Sequence, residues 1–414
     1  MALPLNSNSL VNITDKRDTS TGLNLSRVQS AKIPRGLRSE VLIIPSTSVP
    51  TFGSAFVFDI KEKNILLNDL VIALNLSAIT GLSGGTGLRW SPASFFFTRI
   101  EVVQNNVTVD TLYGLQQHIT NQLFFYDEDR IFRNNLAGNY ASVAQRTTLA
   151  GSASTLYLNL KTYFDQCNIP ILSDNHSIQL RCYLDTLPNL YATTTAYTGT
   201  AAATINSASV ICKVLRLDVN TAAARLTAMQ KKPEHNLYHS VRYATFGITS
   251  GVSSTTVVLT PIVGSVTFLF FTVRNTNALV GDNAWKFNAI SNFNILGGDG
   301  SSIVGGQPIP SQVALQYLQQ YYARSSYTTE NSISSILTGA TNDTGANLYC
   351  WSFSHDPVSA ITLGQALGSR KMIGAEQLQL VFPSSLGSNV QIDVYAFCES
   401  ILEQGAGYIK TYQL

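Results

Sequence analysis

The sequence predicts an all-β protein built from two copies of one unit. Hydrophobic and polar residues alternate with a period of two in several stretches, as in strands that have one buried and one wetter face. Each half of the chain also presents the same order of elements: strands, a turn, an amphipathic helix, a long polar loop and closing strands. Charged residues make up only 13% of the 414 residues. Two copies of one β unit without a visible catalytic set indicate a building block and not an enzyme.

The alternation is clearest in residues 155–164, 177–185 and 389–398, each predicted to be a strand. Their even-numbered positions form the predicted buried faces, as do Phe56, Phe58 and Ile60 near the start: Leu156, Leu158, Leu160, Ile178, Leu180, Cys182, Leu184, Val390, Ile392, Val394 and Ala396. Residues 266–273 are apolar on both faces. We therefore expect this stretch to be a strand that is covered on both sides.

One helix is predicted in each half. In the first half, strand residues 95–103 lead to a helix at about residues 111–125, which Asp110 or Thr111 caps. In the second half, residues 287–296 lead through a glycine-rich turn to a helix at about residues 311–322, with Ser311 as its N-cap. In both helices the apolar residues recur at helical spacing, which indicates core packing.

Residues 126–151, 188–207 and 324–347 are predicted to be long surface loops. The junction between the halves is expected near residues 220–233, where residues 222–229 favour a short helix that Pro233 follows.

Composition leaves two interpretations of the surface open. Hydrophobic residues make up 45% of the chain, enough for sizeable cores, whereas the charged share is about half of the usual ~25%. An ordinary uncharged β protein would look like this. So would a protein that packs against copies of itself, because a surface with few charges repels its own copies only weakly.

The first 39 residues form a basic arm. Its charged residues give a net charge of +4, with Asp15 and Asp18 opposing six basic residues: Lys16, Arg17, Arg27, Lys32, Arg35 and Arg38. The whole chain has a net charge of only +2, which argues against a dedicated nucleic-acid binder. We expect the arm to be extended or disordered in isolation, and these six residues to contact assembly partners.

No catalytic, cofactor-binding or metal-binding residues are predicted. His235 and His239 are four residues apart, but Pro233 precedes them, residues 238–249 are predicted to be a strand, and no third ligand lies nearby. The five cysteines are widely and irregularly spaced, which favours free thiols and a reducing compartment. No apolar signal-peptide core is visible at the N-terminus, and residues 266–273 are too short to cross a bilayer as a helix.

Three segments carry a resemblance to a known family. Residues 155–185, TLYLNLKTYFDQCNIPILSDNHSIQLRCYLD, place a turn at Ile169-Pro170-Ile171-Leu172 between two strands. Residues 100–124, IEVVQNNVTVDTLYGLQQHITNQLF, resemble a strand, a hairpin and a following helix, and residues 390–414 resemble a closing strand with a glycine-containing tail. Together they resemble the double jelly-roll major capsid proteins of tailless icosahedral double-stranded DNA viruses, of the virophage and polinton-like type.

The resemblance implies two tandem eight-stranded antiparallel jelly rolls with short inserted helices. The expected division is an arm at 1–39, a first jelly roll at 40–221, a second at 222–398 and a tail at 399–414. The implied function is a major capsid protein whose homotrimers have a pseudo-hexameric outline and tile an icosahedral virion shell, assembled inside the host cell. The implied partners are further copies, minor capsid and penton proteins and, through the arm, an internal membrane, without sequence-specific binding of nucleic acid.

Two other functions stay open at this point. Another structural virion protein, such as a spike or a penton, would lack a clear second jelly roll. A carbohydrate-binding or adhesion β-sandwich would display aromatic residues on one exposed face, whereas Trp90, Trp285 and Trp351 are scattered along the sequence.

Overall fold

The first half of the chain folds into two large antiparallel sheets and two small sheets of two strands each. The structure is a computed structural model and describes residues 38–123, 127–140, 143–161, 169–193, 195–276, 287–304, 309–310, 349–354 and 368–414. The strands of the first half are β1 (Arg38–Pro45), β2 (Ala55–Ile60), β3 (Ile65–Leu76), β4 (Thr80–Ser83), β5 (Arg89–Trp90), β6 (Phe97–Gln104), β7 (Val107–Leu112), β8 (Ser154–Leu160), β9 (Ile169–Ile171), β10 (Ile178–Leu184), β11 (Tyr191–Ala192), β12 (Thr198–Ala202) and β13 (Ile205–Arg216).

The second half also forms two antiparallel sheets. Its strands are β14 (Glu234–Ile248), β15 (Ser254–Val258), β16 (Val263–Asn275), β17 (Asn292–Leu296), β18 (Ile309–Pro310), β19 (Tyr349–Ser352), β20 (Arg370–Ile373), β21 (Gln377–Val381), β22 (Val390–Gln404) and β23 (Ile409–Gln413).

The two halves share one strand order. In the first half the sheets run β1-β13-β3-β8 and β2-β10-β6-β7, and in the second they run β14-β22-β16-β19 and β15-β21-β17-β18. In each half, the first and last long strands are neighbours in one sheet: β1 with β13, and β14 with β22. The second strand and the long strand before the last are neighbours in the other sheet: β2 with β10, and β15 with β21. This is the wrapping of a jelly roll. The predicted fold class, two tandem eight-stranded jelly rolls, is confirmed, and we call the halves roll 1 and roll 2.

Each roll has a core between its two sheets. In roll 1, the predicted faces are buried, with Phe58 and Leu180 at 0% exposure. In roll 2, the rings of Phe271 and Phe293 meet across the sheets at 5.1 Å between centroids. Residues 266–273 are buried throughout, so the prediction of a strand covered on both faces is confirmed.

Four α-helices lie within the described residues: α1 (Gly114–Leu123), α2 (Asp127–Leu136), α3 (Val143–Ala150) and α4 (Val219–Lys231). The first predicted helix begins later than expected, because Thr111 and Leu112 complete strand β7. Residues 126–151 were predicted as a loop but hold α2 and α3. Residues 188–207 were also predicted as a loop but hold β11 and β12, which pair with β5 and β4. The predicted helix at 311–322 and the predicted loop at 324–347 lie outside the described residues.

Helix α4 connects the rolls and confirms the predicted helix at the junction. Asp218 caps it by accepting a hydrogen bond from the backbone N–H of Thr221 at 2.9 Å. Arg225 makes a bidentate pair with Glu234 at the start of β14, with both distances 2.7 Å. The division of the chain at residues 39, 221 and 398 stays a prediction; α4 spans the second of these positions and β22 runs through the third.

Candidate assembly interface

The two rolls meet along a contact that we call the seam. It consists of Val109, Asp110, Tyr113, Leu115 and Ile119 of roll 1 and Tyr238, Val241, Tyr243 and Tyr395 of roll 2. Leu115 and Ile119 lie one helical turn apart on α1, so both face the same way. They are buried among the core residues of roll 2.

An aromatic cluster forms the part of the seam on one side of Asp110. The ring of Tyr113 lies 4.7 Å from that of Tyr243 and 5.8 Å from that of Tyr395, and the last two are stacked at 4.8 Å. Tyr395 points away from the core of roll 2, because its neighbour Val394 lies opposite Phe271 and faces inward. Roll 1 therefore covers the outer face of a roll 2 sheet.

Gly114 allows α1 to start where it does. A Cβ atom at this position would lie 2.1 Å from the carbonyl oxygen of Ser94 and 2.3 Å from that of Phe97. Backbone atoms cannot yield as a side chain can, so the close approach requires glycine. It holds α1 against roll 1, while Leu115 and Ile119 on another face of the helix pack on roll 2.

Asp110 lies at the middle of the seam. Its carboxylate accepts hydrogen bonds from the backbone N–H of Thr111, at 2.9 Å, and from that of Val241 on the edge strand β14. Burial raises the pKa of Asp110 to about 7, although these two hydrogen bonds and the charge of Arg242 act in the opposite direction. The side chain thus satisfies a backbone donor on an edge that would otherwise be open.

Three further hydrogen bonds continue the contact on the other side of Asp110, towards the start of β14. Tyr238 donates from Oη to the carbonyl oxygen of Val109 at 3.0 Å, and Gln404 donates from Nε2 to that of Pro170 at 2.7 Å. His176 Nε2 lies 2.8 Å from the carbonyl oxygen of Gly405, and burial lowers the pKa of this imidazole. Tyr238, Leu402 and Ile409 of roll 2 belong to the core of roll 1.

A buried ion pair supports the aromatic cluster. Asp393 is fully buried and lies 2.6 Å from Arg274 Nε. It also accepts hydrogen bonds from Tyr243 Oη at 2.7 Å and from Gln391 Nε2 at 2.8 Å. Burial, followed by the charge of Asp393, raises the pKa of Tyr243 well above its ordinary value. The network holds the Tyr243 ring against Tyr113, because a buried carboxylate keeps its donors in place.

No described residue covers the equivalent face of roll 1. Val41 and Ile43 on edge strand β1 are 64% and 68% exposed. Ile43 lies opposite Ile211, and Ile211 lies opposite Val71 on the next strand. Ile211 and Val71 are half-buried, and the residues before and after them in their strands face the core. We call Val41, Ile43, Val71 and Ile211 the open face.

Of the six predicted assembly residues, one lies within the described part of the chain. Lys16, Arg17, Arg27, Lys32 and Arg35 lie outside the described residues. Arg38 begins β1 with 80% of its side chain exposed, and its Nε lies 3.4 Å from Glu40. The sequence reasoning missed the seam because its residues come from distant strands. One signal was present: residues 266–273 are apolar on both faces, which requires a cover on the outer face as well.

The described residues show no arrangement typical of metal binding. No group of three or more His, Cys, Asp or Glu residues within these ranges is placed to hold a metal ion. His235 pairs with Glu403 at 3.2 Å, and burial lowers the pKa of His239 to about 4. Cys182, Cys212, Cys350 and Cys398 are buried free thiols, and Cys167 lies outside the described ranges. None of the helices in the described part is long and apolar enough to cross a membrane.

Comparison with known proteins supports the fold. No protein-family model and no curated protein matches the sequence. Among solved structures, VP54 of PBCV-1 is 16% identical, with 92% of this chain and 98% of that chain covered at a TM-score of 0.68. The Faustovirus major capsid protein is 11% identical over 97% of this chain and 98% of its own, with a TM-score of 0.67. The mavirus major capsid protein is 11% identical over 90% of both chains, with a TM-score of 0.52. This chain therefore has the double jelly-roll fold of viral major capsid proteins.

Proposed function

We propose that this protein is the major capsid protein of an icosahedral virus and forms trimers with a pseudo-hexameric outline. One observation carries the proposal: the chain makes one contact between its rolls internally, and none of its described residues covers the matching face of roll 1. The fold likeness to capsid proteins agrees with it, although a fold alone does not establish a function.

The repeated strand order explains why copies should close into a ring. Within one chain, the outer face of roll 2 is covered by roll 1. If roll 2 of another copy covers the open face in a similar way, each copy contacts the next by a head-to-tail interface. Six rolls of similar shape complete a hexagonal outline, and tandem pairs supply six rolls from three chains. Joining the rolls covalently also removes the cost of bringing two separate molecules together.

The chemistry of the open face suits a contact between copies. Val41 and Ile43 project from an edge strand, a position at which natural proteins usually place charges or a cover. Val41 lies opposite Lys213, which lies opposite Asp69, so burial of this face against another copy would require these two charges to pair with each other or with the other copy. The low overall charge of 13% also limits repulsion between copies.

The proposed role is structural and non-catalytic, in the shell of the virion. Trimers would contact neighbouring trimers, minor capsid proteins and penton proteins after synthesis in the host cell. The arm, which contains Lys16, Arg17, Arg27, Lys32, Arg35 and Arg38, would face the interior and contact these partners or an internal membrane. This part of the proposal rests on the charge of the arm and on the family resemblance.

A charge in the open face tests the proposed trimer. Ile43→Lys should shift the purified protein from the mass of three 44.9 kDa chains to that of one, because a lysine cannot be buried in an apolar contact without a partner. Val49→Lys is the matched control, since Val49 is 71% exposed in the loop after β1. Mass photometry measures both variants. A monomeric wild-type protein at micromolar concentration would contradict the proposal.

A further inference from the structure

Roll 2 has a cavity at the end where β16 finishes and β22 begins. It is lined by Asn275, Asn288 and Ala289 and by residues 382–388, the loop between β21 and β22. Its volume is about 350 Å³. Sites for small molecules usually have volumes of ~300–1,000 Å³, so the cavity is large enough for one small ligand. We call it the end cavity.

Backbone hydrogen bonds fix the loop that lines the end cavity. Leu386 accepts a hydrogen bond from the N–H of Gly251 at 2.7 Å, and its own N–H donates to the carbonyl oxygen of Val252 at 2.9 Å. At the start of the loop, the N–H of Phe382 donates to the carbonyl oxygen of Ser253 at 2.9 Å. Because the loop is already held in place, a ligand would not have to order it on binding.

The polar groups of the lining are neutral amides and hydroxyls. Asn288 Nδ2 donates to Asn275 Oδ1 at 2.6 Å. This leaves the amide N–H groups of Asn275 and the Oδ1 atom of Asn288 without a partner among the described residues. The hydroxyls of Ser384, Ser385 and Ser388 also make no hydrogen bond to a described residue. The end cavity therefore offers several donors and acceptors to a ligand.

The lining contains no charged side chain. Arg274, which precedes Asn275, is directed to the buried Asp393 at 2.6 Å. A phosphate, a carboxylate or an amine would therefore lack a counter-charge in the end cavity. Hydroxyls and amides both donate and accept hydrogen bonds, as the hydroxyls of a sugar do. Phe382 and Leu386 add apolar atoms that suit the C–H face of a sugar ring.

The end cavity lies far from the point at which the arm joins roll 1. The arm leads into the start of β1, which lies opposite Arg216 at the end of β13. Pro170 lies at the same end of roll 1, since Pro170 pairs with Leu66 and Arg216 with Ile65. Gln404 at the end of β22 contacts Pro170, so the two rolls run in the same direction. The end cavity, at the start of β22, would face the exterior of a shell whose arms face the interior; this placement rests on the proposed function.

We propose that the end cavity binds a neutral hexose unit of a glycan on the host-cell surface. The aromatic ring in the lining, that of Phe382, is only 4% exposed, so it cannot stack on a sugar as an open aromatic platform would. A single site of this kind binds weakly. A shell that displays many copies would still attach firmly, because each further contact on the same surface is made at a high effective concentration.

Two substitutions in the lining test the proposal. A Cβ atom at Gly387 would have no heavy atom within 4 Å apart from its chain neighbours, so Gly387→Leu obstructs the end cavity without displacing its walls. Asn288→Ala removes one of the two amides. Gly247 on β14 has the same open space around a Cβ atom and does not line the cavity, so Gly247→Leu is the matched control.

Saturation-transfer NMR of the full-length protein with the methyl glycosides of glucose, galactose, mannose and N-acetylglucosamine measures binding, and an array of neutral and acidic glycans extends the set. At least one neutral sugar should bind, and Gly387→Leu and Asn288→Ala should weaken its affinity by about tenfold or more, whereas Gly247→Leu should not. Trimers that bind no neutral sugar, that bind only acidic glycans, or that bind equally in all variants would overturn this inference and leave the proposed function standing. A monomeric wild-type protein that binds a neutral sugar with this dependence on the variants would contradict the proposed function alone, because the end cavity lies within one roll.

Discussion

At the scale of single residues, Asp110 is the seam group whose charge should matter most for stability. Its pKa is raised from an ordinary value near 3.8 to about 7 by burial, so the folded protein binds a proton more tightly than the unfolded chain. The carboxylate therefore costs stability above pH 7, and the cost disappears as the pH falls from 7 towards 4. His239 acts in the opposite sense, because its lowered pKa removes stability as the pH falls below about 6.5.

Asp110→Asn isolates the contribution of the carboxylate. Asn has nearly the same shape and keeps one acceptor oxygen, and it carries no charge at any of these pH values. The unfolding free energy of the variant minus that of the wild type should be about 2–3 kcal/mol larger at pH 8 than at pH 5. Urea denaturation of both proteins at the two pH values measures this difference. An equal effect at pH 5 and pH 8 would show that the charge of Asp110 is not the cause.

A charge in the core of roll 1 should prevent folding. Leu180 has 0% exposure, and Leu180→Asp buries a carboxylate without a partner, which costs several kcal/mol against a typical domain stability of about 5–15 kcal/mol. Gln179→Asp on the other face of the same strand is half-buried and should still fold, with only a small cost from the carboxylate of Asp59 directly opposite. Circular dichroism and solubility compare the two variants. A folded, soluble Leu180→Asp protein would contradict the assigned strand face.

At the scale of elements, period-two alternation predicted the strands well because each strand has one face in a core. The predicted strand at residues 177–185 is observed as Ile178–Leu184, with its even-numbered residues buried. Helices α2 and α3 were not predicted, since charged and amide residues dominate the α2 sequence DEDRIFRNNL and hide its apolar spacing. The start of α1 was placed too early because Thr111 can cap a helix or extend a strand, and pairing with Glu101 of β6 decides in favour of the strand.

The arm should be dispensable for trimers and necessary for the shell. Removal of residues 1–39 leaves the seam and the open face intact, so trimers should keep their mass. Assembly into particles should be impaired because contacts between copies and with other capsid components are lost. Sedimentation of the truncated and full-length proteins under assembly conditions measures both effects. Dissociation of the truncated protein to monomers would count against a peripheral arm.

At the scale of the whole molecule, the repeat was visible in the sequence as an order of elements, and the structure shows it as one strand order in both rolls. The seam was not predictable in the same way. Asp110 and Val241 are 131 positions apart, and Tyr113 meets Tyr243 and Tyr395 only after both rolls have folded. Periodicity reports which face of a strand is buried, but it does not report what covers the outer face.

The seam and the open face together give the account its central claim: one chain supplies two adjacent rolls of a six-roll ring. Electron microscopy of the purified full-length protein tests this most directly. We expect particles with threefold symmetry and a hexagonal outline, each containing six β-barrel densities of similar size. Particles with only two such densities, or rings whose copy number is not three, would contradict the claim.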